Sequence, residues 1–330
     1  MKKIKYIIIP CLMVFFTSCE DEFIDLDPPA SITDQVYYTE ADHFLTGSNQ
    51  FYTDLMTWRY DQGIYADHGS DLVGYTEDSD MQIYSRGDTR APESDGYYSA
   101  PYSTIRDINL LLQRAEAYEG EESIVPYVAA SKFHRAYQYF NLVQRFGGVP
   151  LVTRPLDVGD EELNAPRSSR YQVVARILAD LDDAIAGLPT EQEIASEDKG
   201  KISKWAAMAF KADVLLHEAT WMKYVGTSTD GDGTSTGAGS EGFNASNIDV
   251  YLQEVVTLTK TVMDQGGFEL WDYNDELDNL SSNFLFNLED GGSNPAGLDK
   301  ATNKEFIFYN KYDFTFRQAG DLLSHVYEGR

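Results

Sequence analysis

Stretches with apolar residues at helical spacing alternate along this chain with stretches that show no periodicity. The clearest periodic stretch runs from Lys132 to Val152 and reads KFHRAYQYFNLVQRFGGVPLV. One apolar face consists of Phe133, Ala136, Tyr137, Phe140 and Val143, and a second of Tyr139, Leu142 and Phe146. Because each face can pack against a different neighbour, we predict that this helix lies at the centre of the fold.

Local signals mark both ends of this central helix. Ser123 is the predicted N-cap, with Pro126 in the first turn. Gly147 and Gly148 supply a left-handed stop, and Pro150 follows just beyond them. The start and stop signals therefore enclose the periodic stretch.

Five further segments show helical spacing. Thr39 opens the first, with Asp42 three residues on as in a capping box, and Ser169 with Gln172 opens the third in the same way. The segments span approximately 39–58, 105–115, 169–188, 202–224 and 250–265. Together with the central helix they predict a mainly α fold of helix pairs, although the full tetratricopeptide signature at a period of ~34 residues is missing.

Two long stretches lack periodicity, and we interpret them as loop insertions at 59–99 and 227–247. The first is rich in Gly, Asp and Tyr, and the second contains TSTDGDGTSTGAGSEGF. Long loops inside compact domains are often functional, so we expect ligand contacts there.

The N-terminus is typical of a lipoprotein signal. Lys2, Lys3 and Lys5 precede an apolar run of ten residues, which is too short to span a bilayer as a helix of ~20 residues. A small residue then stands before Cys19. We predict a signal peptide at 1–18, lipidation of Cys19, and a tether at 19–38. Cleavage elsewhere, with Cys19 incidental, is the alternative.

The composition is strongly acidic. The formal net charge is −28, and removing residues 1–18 with their three lysines leaves 23 basic against 54 acidic residues, which gives −31. Such a surface repels phosphate backbones, so the charge argues against nucleic acids and anionic lipid surfaces as partners.

Two motifs suggest metal chemistry and fall short of it. Asp230, Asp232 and Glu241 occupy positions 1, 3 and 12 of a calcium loop, but Ser235 stands where glycine should make the turn. His217-Glu218 begins a zinc-protease pattern, but the second histidine is missing. We therefore predict no cofactor and no metal or catalytic residue, with calcium open as an alternative to a solvated loop.

Loop aromatics are the remaining candidates for a site. Sugar rings have apolar CH faces and polar edges, so a sugar site needs flat aromatic rings beside groups that bond hydroxyls. Residues of both kinds occur at 58–98 and 271–274. The candidate ligand-binding residues are Trp58, Tyr65, Asp67, Asp71, Tyr75, Tyr84, Arg86, Trp271, Tyr273 and Asn274. Packing of these rings onto the helices is the alternative.

The central RAYQYFNLVQRFGGVPLV resembles the most recognisable helix and turn of the SusD/RagB family, the surface nutrient-binding lipoproteins of Gram-negative glycan-uptake systems. Three more segments match it: PRSSRYQVVARILADLDDAIAGLP, GKISKWAAMAFKADVLLHEA and NKEFIFYNKY. The resemblance implies a mainly α, tetratricopeptide-like helical-repeat scaffold at 39–330 with long irregular ligand-binding loops. Family members usually continue further, so we expect a C-terminally truncated version.

The same resemblance implies a function. We expect an outer-membrane, cell-surface-facing lipoprotein that binds oligosaccharide or polysaccharide and delivers it to a SusC-like TonB-dependent outer-membrane transporter, without catalysis. A peptide-capturing relative of the same fold is one alternative. A lipid-anchored glycan hydrolase is another, because a chain with 54 acidic residues could contain the required carboxylate pair.

Overall fold

The structure is a computed structural model that describes residues 37–55, 93–226, 241–288 and 290–309. These ranges contain α1 (Ala41–Gln50), α2 (Gly96–Glu116), α3 (Val125–Phe146), α4 (Arg170–Gly187), α5 (Lys204–Tyr224), α6 (Asn247–Gln265) and α7 (Ser281–Phe286). Short 3₁₀ helices occur at Phe51–Asp54, Glu161–Asn164, Ser196–Asp198 and Lys300–Thr302. Within the described ranges there is no β-strand, so the predicted mainly α fold class is confirmed.

Successive helices from α2 to α6 pack against one another, and α3 also contacts α1. Contacts between α3 and α4 show that these two helices run antiparallel. Arg135 pairs with Asp180, Lys132 pairs with Asp183, and Gly187 lies against Ala129. A β-carbon on Gly187 would come within 2.8 Å of the Ala129 side chain, so glycine permits this close approach.

Both predicted apolar faces of α3 are buried, as expected for a central helix. Phe133, Ala136, Phe140 and Val143 are at most 4% exposed, and Tyr139 and Leu142 of the second face are fully buried. Tyr137 and Phe146 are half-buried and pack against the same core. The aromatic-rich pattern therefore marks the helix on which the neighbouring helices assemble.

Capping residues explain where several helices begin and end. The Ser169 hydroxyl accepts from the Gln172 amide at 3.1 Å, and the Gln172 side chain accepts from the Ser169 amide at 2.9 Å, which confirms the predicted capping box. Gly147 ends α3 with a φ of 71°, a region that L side chains rarely adopt.

Predicted helix starts differ from the structure by one residue at α1 and α3 and by nine residues at α2. The N-cap of α3 is Ile124, not the predicted Ser123. The cap of α1 is Glu40 with His43, not Thr39 with Asp42, because the His43 ring accepts from the Glu40 amide at 3.2 Å. Helix α2 begins at Gly96, inside the segment predicted as loop. The Asp95 carboxylate accepts from the Tyr97 amide at 2.8 Å and starts the helix before any apolar periodicity appears.

A closed ion pair joins α4 to α5. Arg170 and Glu218 are each 1% exposed, and their side chains form two hydrogen bonds, one of them 2.9 Å from Nε to Oε2. Arg170 also donates to the Val143 carbonyl at 3.1 Å, and its guanidinium lies 4.0 Å from the centre of the Trp221 ring. The zinc-protease-like His217-Glu218 pattern thus belongs to a structural ion pair.

His134 on α3 is the opposite case, a buried polar side chain without a hydrogen bond. It is fully buried, and neither ring nitrogen has a partner within the described part of the chain. The Tyr52 ring packs edge-on against it at 4.8 Å. Burial lowers the pKa of His134 from 6.5 to about 3, so the imidazole stays neutral in the folded protein.

Candidate functional site

The start of α2 and the end of α3 meet at a cluster of aromatic rings, which we call the aromatic cluster: Tyr97, Tyr98, Tyr102 and Phe146, with Arg145 beside them. The Tyr98 ring contacts the Phe146 ring edge-on at 5.2 Å between centroids, and the Tyr102 ring at 5.1 Å. The guanidinium of Arg145 lies 3.8 Å above the centre of the Tyr97 ring. Two helix ends therefore present rings and a cation on one surface.

The glycine turn after α3 holds one side of this cluster in place. Arg167 donates to the carbonyls of Phe146 and Gly148, and the Ser168 amide donates to Val149 at 3.1 Å. A β-carbon on Gly148 would lie 2.2 Å from the Ser168 carbonyl oxygen, so only glycine fits there. The turn thereby fixes the end of α3, where Arg145 and Phe146 stand.

The inner ring of the cluster is anchored and the outer rings are exposed. Burial raises the pKa of the Tyr102 phenol well above its usual range, and its hydroxyl donates to the Pro150 carbonyl at 2.6 Å. Tyr97 is 67% exposed and Tyr98 is 37% exposed. A large exposed ring on a rigid element is what stacking against an apolar ligand face requires.

Charged groups flank the outer rings. The Arg145 Nε lies 3.9 Å from Asp95 Oδ2, and both side chains remain partly exposed. An arginine donates and a carboxylate accepts, so together they can bond hydroxyl groups that point away from a stacked sugar. The arrangement suits a ligand with an apolar face and polar edges.

Most of the predicted site residues lie outside the described part of the chain. These are Trp58, Tyr65, Asp67, Asp71, Tyr75, Tyr84 and Arg86. They precede the aromatic cluster in the sequence, and their role as ligand contacts stays a prediction.

The second predicted patch, at 271–274, is divided by burial. Trp271 is 4% exposed, packs with Leu277 and Leu288, and donates its indole N–H to the Thr302 hydroxyl at 3.0 Å. Its ring therefore offers no free face, and we reassign Trp271 to a core position. Tyr273 is half-buried, whereas Asn274 is exposed and contacts Asp272.

The spacing of residues along the chain did not predict the aromatic cluster. Tyr97 and Tyr98 fall in the segment 59–99 that was predicted as a loop, and Arg145 was not among the predicted site residues. The Asp95-Gly96 pair ahead of the two tyrosines was the available signal, since aspartate favours the N-cap position. The start of α2 and the end of α3 are nearly 50 residues apart, so their contact has no local signal in the sequence.

The described part of the chain contains no group of side chains that could ligate a metal ion. Within 37–55, 93–226, 241–288 and 290–309, no three His, Cys, Asp or Glu side chains are grouped so that they could hold an ion. Asp230 and Asp232 of the calcium-loop pattern lie outside these ranges, and Glu241 is exposed.

Comparison with protein families gives a match over residues 25–216 to the SusD-like model described as starch-binding and associating with the outer membrane. A SusD-like protein of Formosa agariphila is 25% identical over 240 residues, which cover 66% of this chain and 44% of the relative. A SusD-like protein of Bacteroides ovatus is 24% identical over 237 residues, which cover 70% of this chain and 42% of the relative. The chain thus spans less than half the length of these curated relatives.

Solved structures show the same fold. A SusD-like carbohydrate-binding protein of Bacteroides fragilis superposes with a TM-score of 0.55 at 19% identity, over 85% of this chain and 48% of that one. A laminarin-binding SusD-like protein superposes with a TM-score of 0.53 at 25% identity. The superposition covers 74% of this chain and 49% of that one. The family match covers more than half of the 330 residues, which confirms the resemblance. The chain belongs to the SusD-like family.

Proposed function

We propose that this protein is a cell-surface lipoprotein that binds oligosaccharide or polysaccharide and delivers it to a SusC-like TonB-dependent transporter. The observation that carries the proposal is the match of residues 25–216 to a family described as starch-binding and associating with the outer membrane. A similar solved protein is described as laminarin-binding, which supports a glycan ligand.

The aromatic cluster is the proposed contact surface in the described part of the chain. Tyr97 supplies the exposed ring, and Arg145 and Asp95 supply hydrogen-bonding groups beside it. The predicted residues between Trp58 and Arg86 are proposed as further ligand contacts. Both sets combine rings with polar groups, as glycan recognition requires.

The lipid anchor is proposed from the N-terminal sequence. Among the described residues no helix is long and apolar enough to cross a membrane. We expect that Cys19→Ala abolishes acylation and releases the protein from the outer membrane. Metabolic labelling with a fatty-acid probe measures this, and equal labelling of the variant would refute the predicted anchor.

Titration calorimetry with a glycan panel that includes laminarin and starch tests binding. Tyr97→Ala and Tyr98→Ala, made singly, should leave the melting temperature nearly unchanged, because an exposed ring contributes little to the core. Trp58→Ala, at a predicted ligand contact, completes the series. At least one of them should weaken binding by ~1–3 kcal/mol, the magnitude typical of stacked rings and binding hot spots. Parent-like affinity in all three would place the site elsewhere.

Trp205 and Trp271 provide matched controls because both indoles are buried, at 6% and 4% exposed. Their alanine variants should unfold at lower temperature. Release of new reducing ends from any polysaccharide would instead favour the hydrolase alternative. Peptide binding that Tyr97→Ala weakens would favour the peptide-capturing alternative.

A further inference from the structure

A second surface, separate from the aromatic cluster, lies between α2, α3 and α4. It is a groove of about 910 Å³, and Thr153, Arg154 and Pro155 after α3 also line it. We call it the α2–α4 groove. The antiparallel pairing of α3 and α4 gives it two distinct ends, one near Asn109 and Arg135 and the other near Val125 and Gly187.

The first end of the groove contains two guanidiniums for one carboxylate. Asp180 is fully buried and accepts from Arg135 Nε and Nη2, each at 2.7 Å. Its Oδ1 also accepts from Arg176 Nη2 at 2.5 Å. Among the described residues neither arginine contacts another carboxylate, so Arg135 and Arg176 share the single negative charge of Asp180.

Arg176 is the member of this cluster that can reach a ligand. Its side chain is 28% exposed, while those of Arg135 and Asp180 are 5% and 0% exposed. The Arg176 Nε–H has no hydrogen-bond partner in the described part of the chain. Arg135, by contrast, also donates Nη1 to the Asn109 side-chain oxygen at 2.7 Å. The buried Arg135–Asp180 pair therefore positions the partly exposed Arg176 guanidinium at the groove wall.

The other cations of the groove are paired with carboxylates, and Arg154 faces two of them. Lys132 pairs with Asp183 at 2.7 Å. Arg154 pairs with Asp160 and Glu162, and its hydrogen bonds lower the pKa of both carboxyls. Glu116 also lines the groove. The positive charge is thus local to Arg176, in a chain whose formal net charge is −28.

The second end of the groove is aliphatic. Val125, Val128, Ala129, Ala186 and Gly187 line it, and none of the described lining residues is aromatic. A neutral sugar would find no ring for stacking there, whereas aliphatic side chains of a peptide could bury apolar surface. Concave surfaces between stacked helices commonly accept extended peptides, and arginines commonly recognise their acidic residues.

We propose that the α2–α4 groove binds an extended peptide segment of a protein partner, with an acidic side chain at Arg176 and aliphatic side chains against Val128 and Ala186. The ten helical steps from Val125 to Arg135 span about 15 Å, which matches about four or five residues of extended chain. This proposal does not depend on glycan binding at the aromatic cluster.

Fluorescence anisotropy with labelled, end-blocked pentapeptides tests the proposal on the whole chain. The probes are Asp-Leu-Val-Ala-Gln and its reversal, each with an asparagine counterpart. We expect at least one acidic probe to bind, with at least tenfold weaker binding of its asparagine form. Raising the salt from 50 to 300 mM should also weaken it, because screening reduces the charge attraction.

Two variants locate the binding. Arg176→Gln removes the partly exposed charge and leaves the Arg135–Asp180 pair, and it should weaken the acidic probe at least fivefold. Ala186→Trp fills the aliphatic end at an exposed position and should block binding. Tyr97→Ala at the aromatic cluster is the control and should bind within twofold of the parent.

Three results would overturn the proposal. The first is parent-like binding by both Arg176→Gln and Ala186→Trp. The second is absence of binding of either acidic probe at millimolar concentration. The third is Arg176-dependent binding of polygalacturonate without binding of the peptides, which would assign the groove to an acidic glycan.

Discussion

Two arginine clusters join α4 to its neighbours, and they differ in the balance of charge. Between α4 and α5, Arg170 faces Glu218 one to one, both are 1% exposed, and the guanidinium also reaches a carbonyl and an indole ring. Between α3 and α4, Arg135 and Arg176 share Asp180, and Arg176 remains partly exposed. The first cluster is saturated and closed, whereas the second retains a donor and a charge beside a groove.

This difference shows how similar residues can serve the scaffold or a ligand. A buried charge is tolerated when a partner of opposite charge and hydrogen bonds compensate for its lost hydration. The Arg170 cluster meets this condition within the chain. In the Asp180 cluster, one carboxylate serves both Arg135 and Arg176. An external anion at Arg176 would supply a second negative charge.

The largest expected effect comes from opening the closed cluster. Glu218→Ala leaves the Arg170 guanidinium buried without its carboxylate and should lower the free energy of unfolding by about 3–5 kcal/mol in urea melts. Lys132→Ala is the control, because the Lys132–Asp183 pair also joins two helices but is partly exposed. Lys132→Ala should lower the free energy of unfolding by less than about 1 kcal/mol. Similar losses in both variants would mean that burial does not distinguish the pairs.

The next effect concerns His134, which has no compensating partner among the described residues. Its pKa is about 3 in the folded protein and 6.5 when unfolded, so below pH 6.5 only the unfolded state takes up the proton. Stability from the neutral ring is therefore complete above about pH 6.5 and falls as the pH approaches 3, by at most about 1.4 kcal/mol per pH unit.

His134→Leu should remove this dependence. Between pH 7 and pH 4 the parent should lose up to about 3 kcal/mol more unfolding free energy than the variant, because the leucine cannot be protonated. Urea melts at both pH values measure the difference. Equal losses in the two proteins would show that His134 does not titrate in this range.

The smallest effect on stability is expected for Arg176→Gln. The Arg135–Asp180 pair remains, and the lost bond joins a partly exposed arginine to a residue one turn away, so the free energy of unfolding should fall by less than about 1 kcal/mol. Asp180→Asn is the informative companion, since it removes the carboxylate from both arginines and should cost several times more. A large loss for Arg176→Gln would identify Arg176 as part of the scaffold, like Arg170.

Local sequence signals determined the helices of this protein. The two apolar faces of α3, the Ser169–Gln172 capping box and the Gly147 stop each arise within a few residues, and the structure retains all three. Such signals could be recognised because helix period and capping depend on neighbours along the chain. Trp205, within the predicted helical segment 202–224, is also buried, at 6% exposed.

Tertiary structure alone decided which charges are paired and which rings are exposed. Arg135 meets Asp180 across 45 residues, and Arg170 meets Glu218 across 48, in a chain where 54 acidic residues could have been partners. Trp271 is covered by Leu277, Leu288 and a 3₁₀ helix, while Tyr97 projects from a helix end. Burial and pairing depend on which elements meet in space, and residue type and spacing along the chain do not encode those meetings.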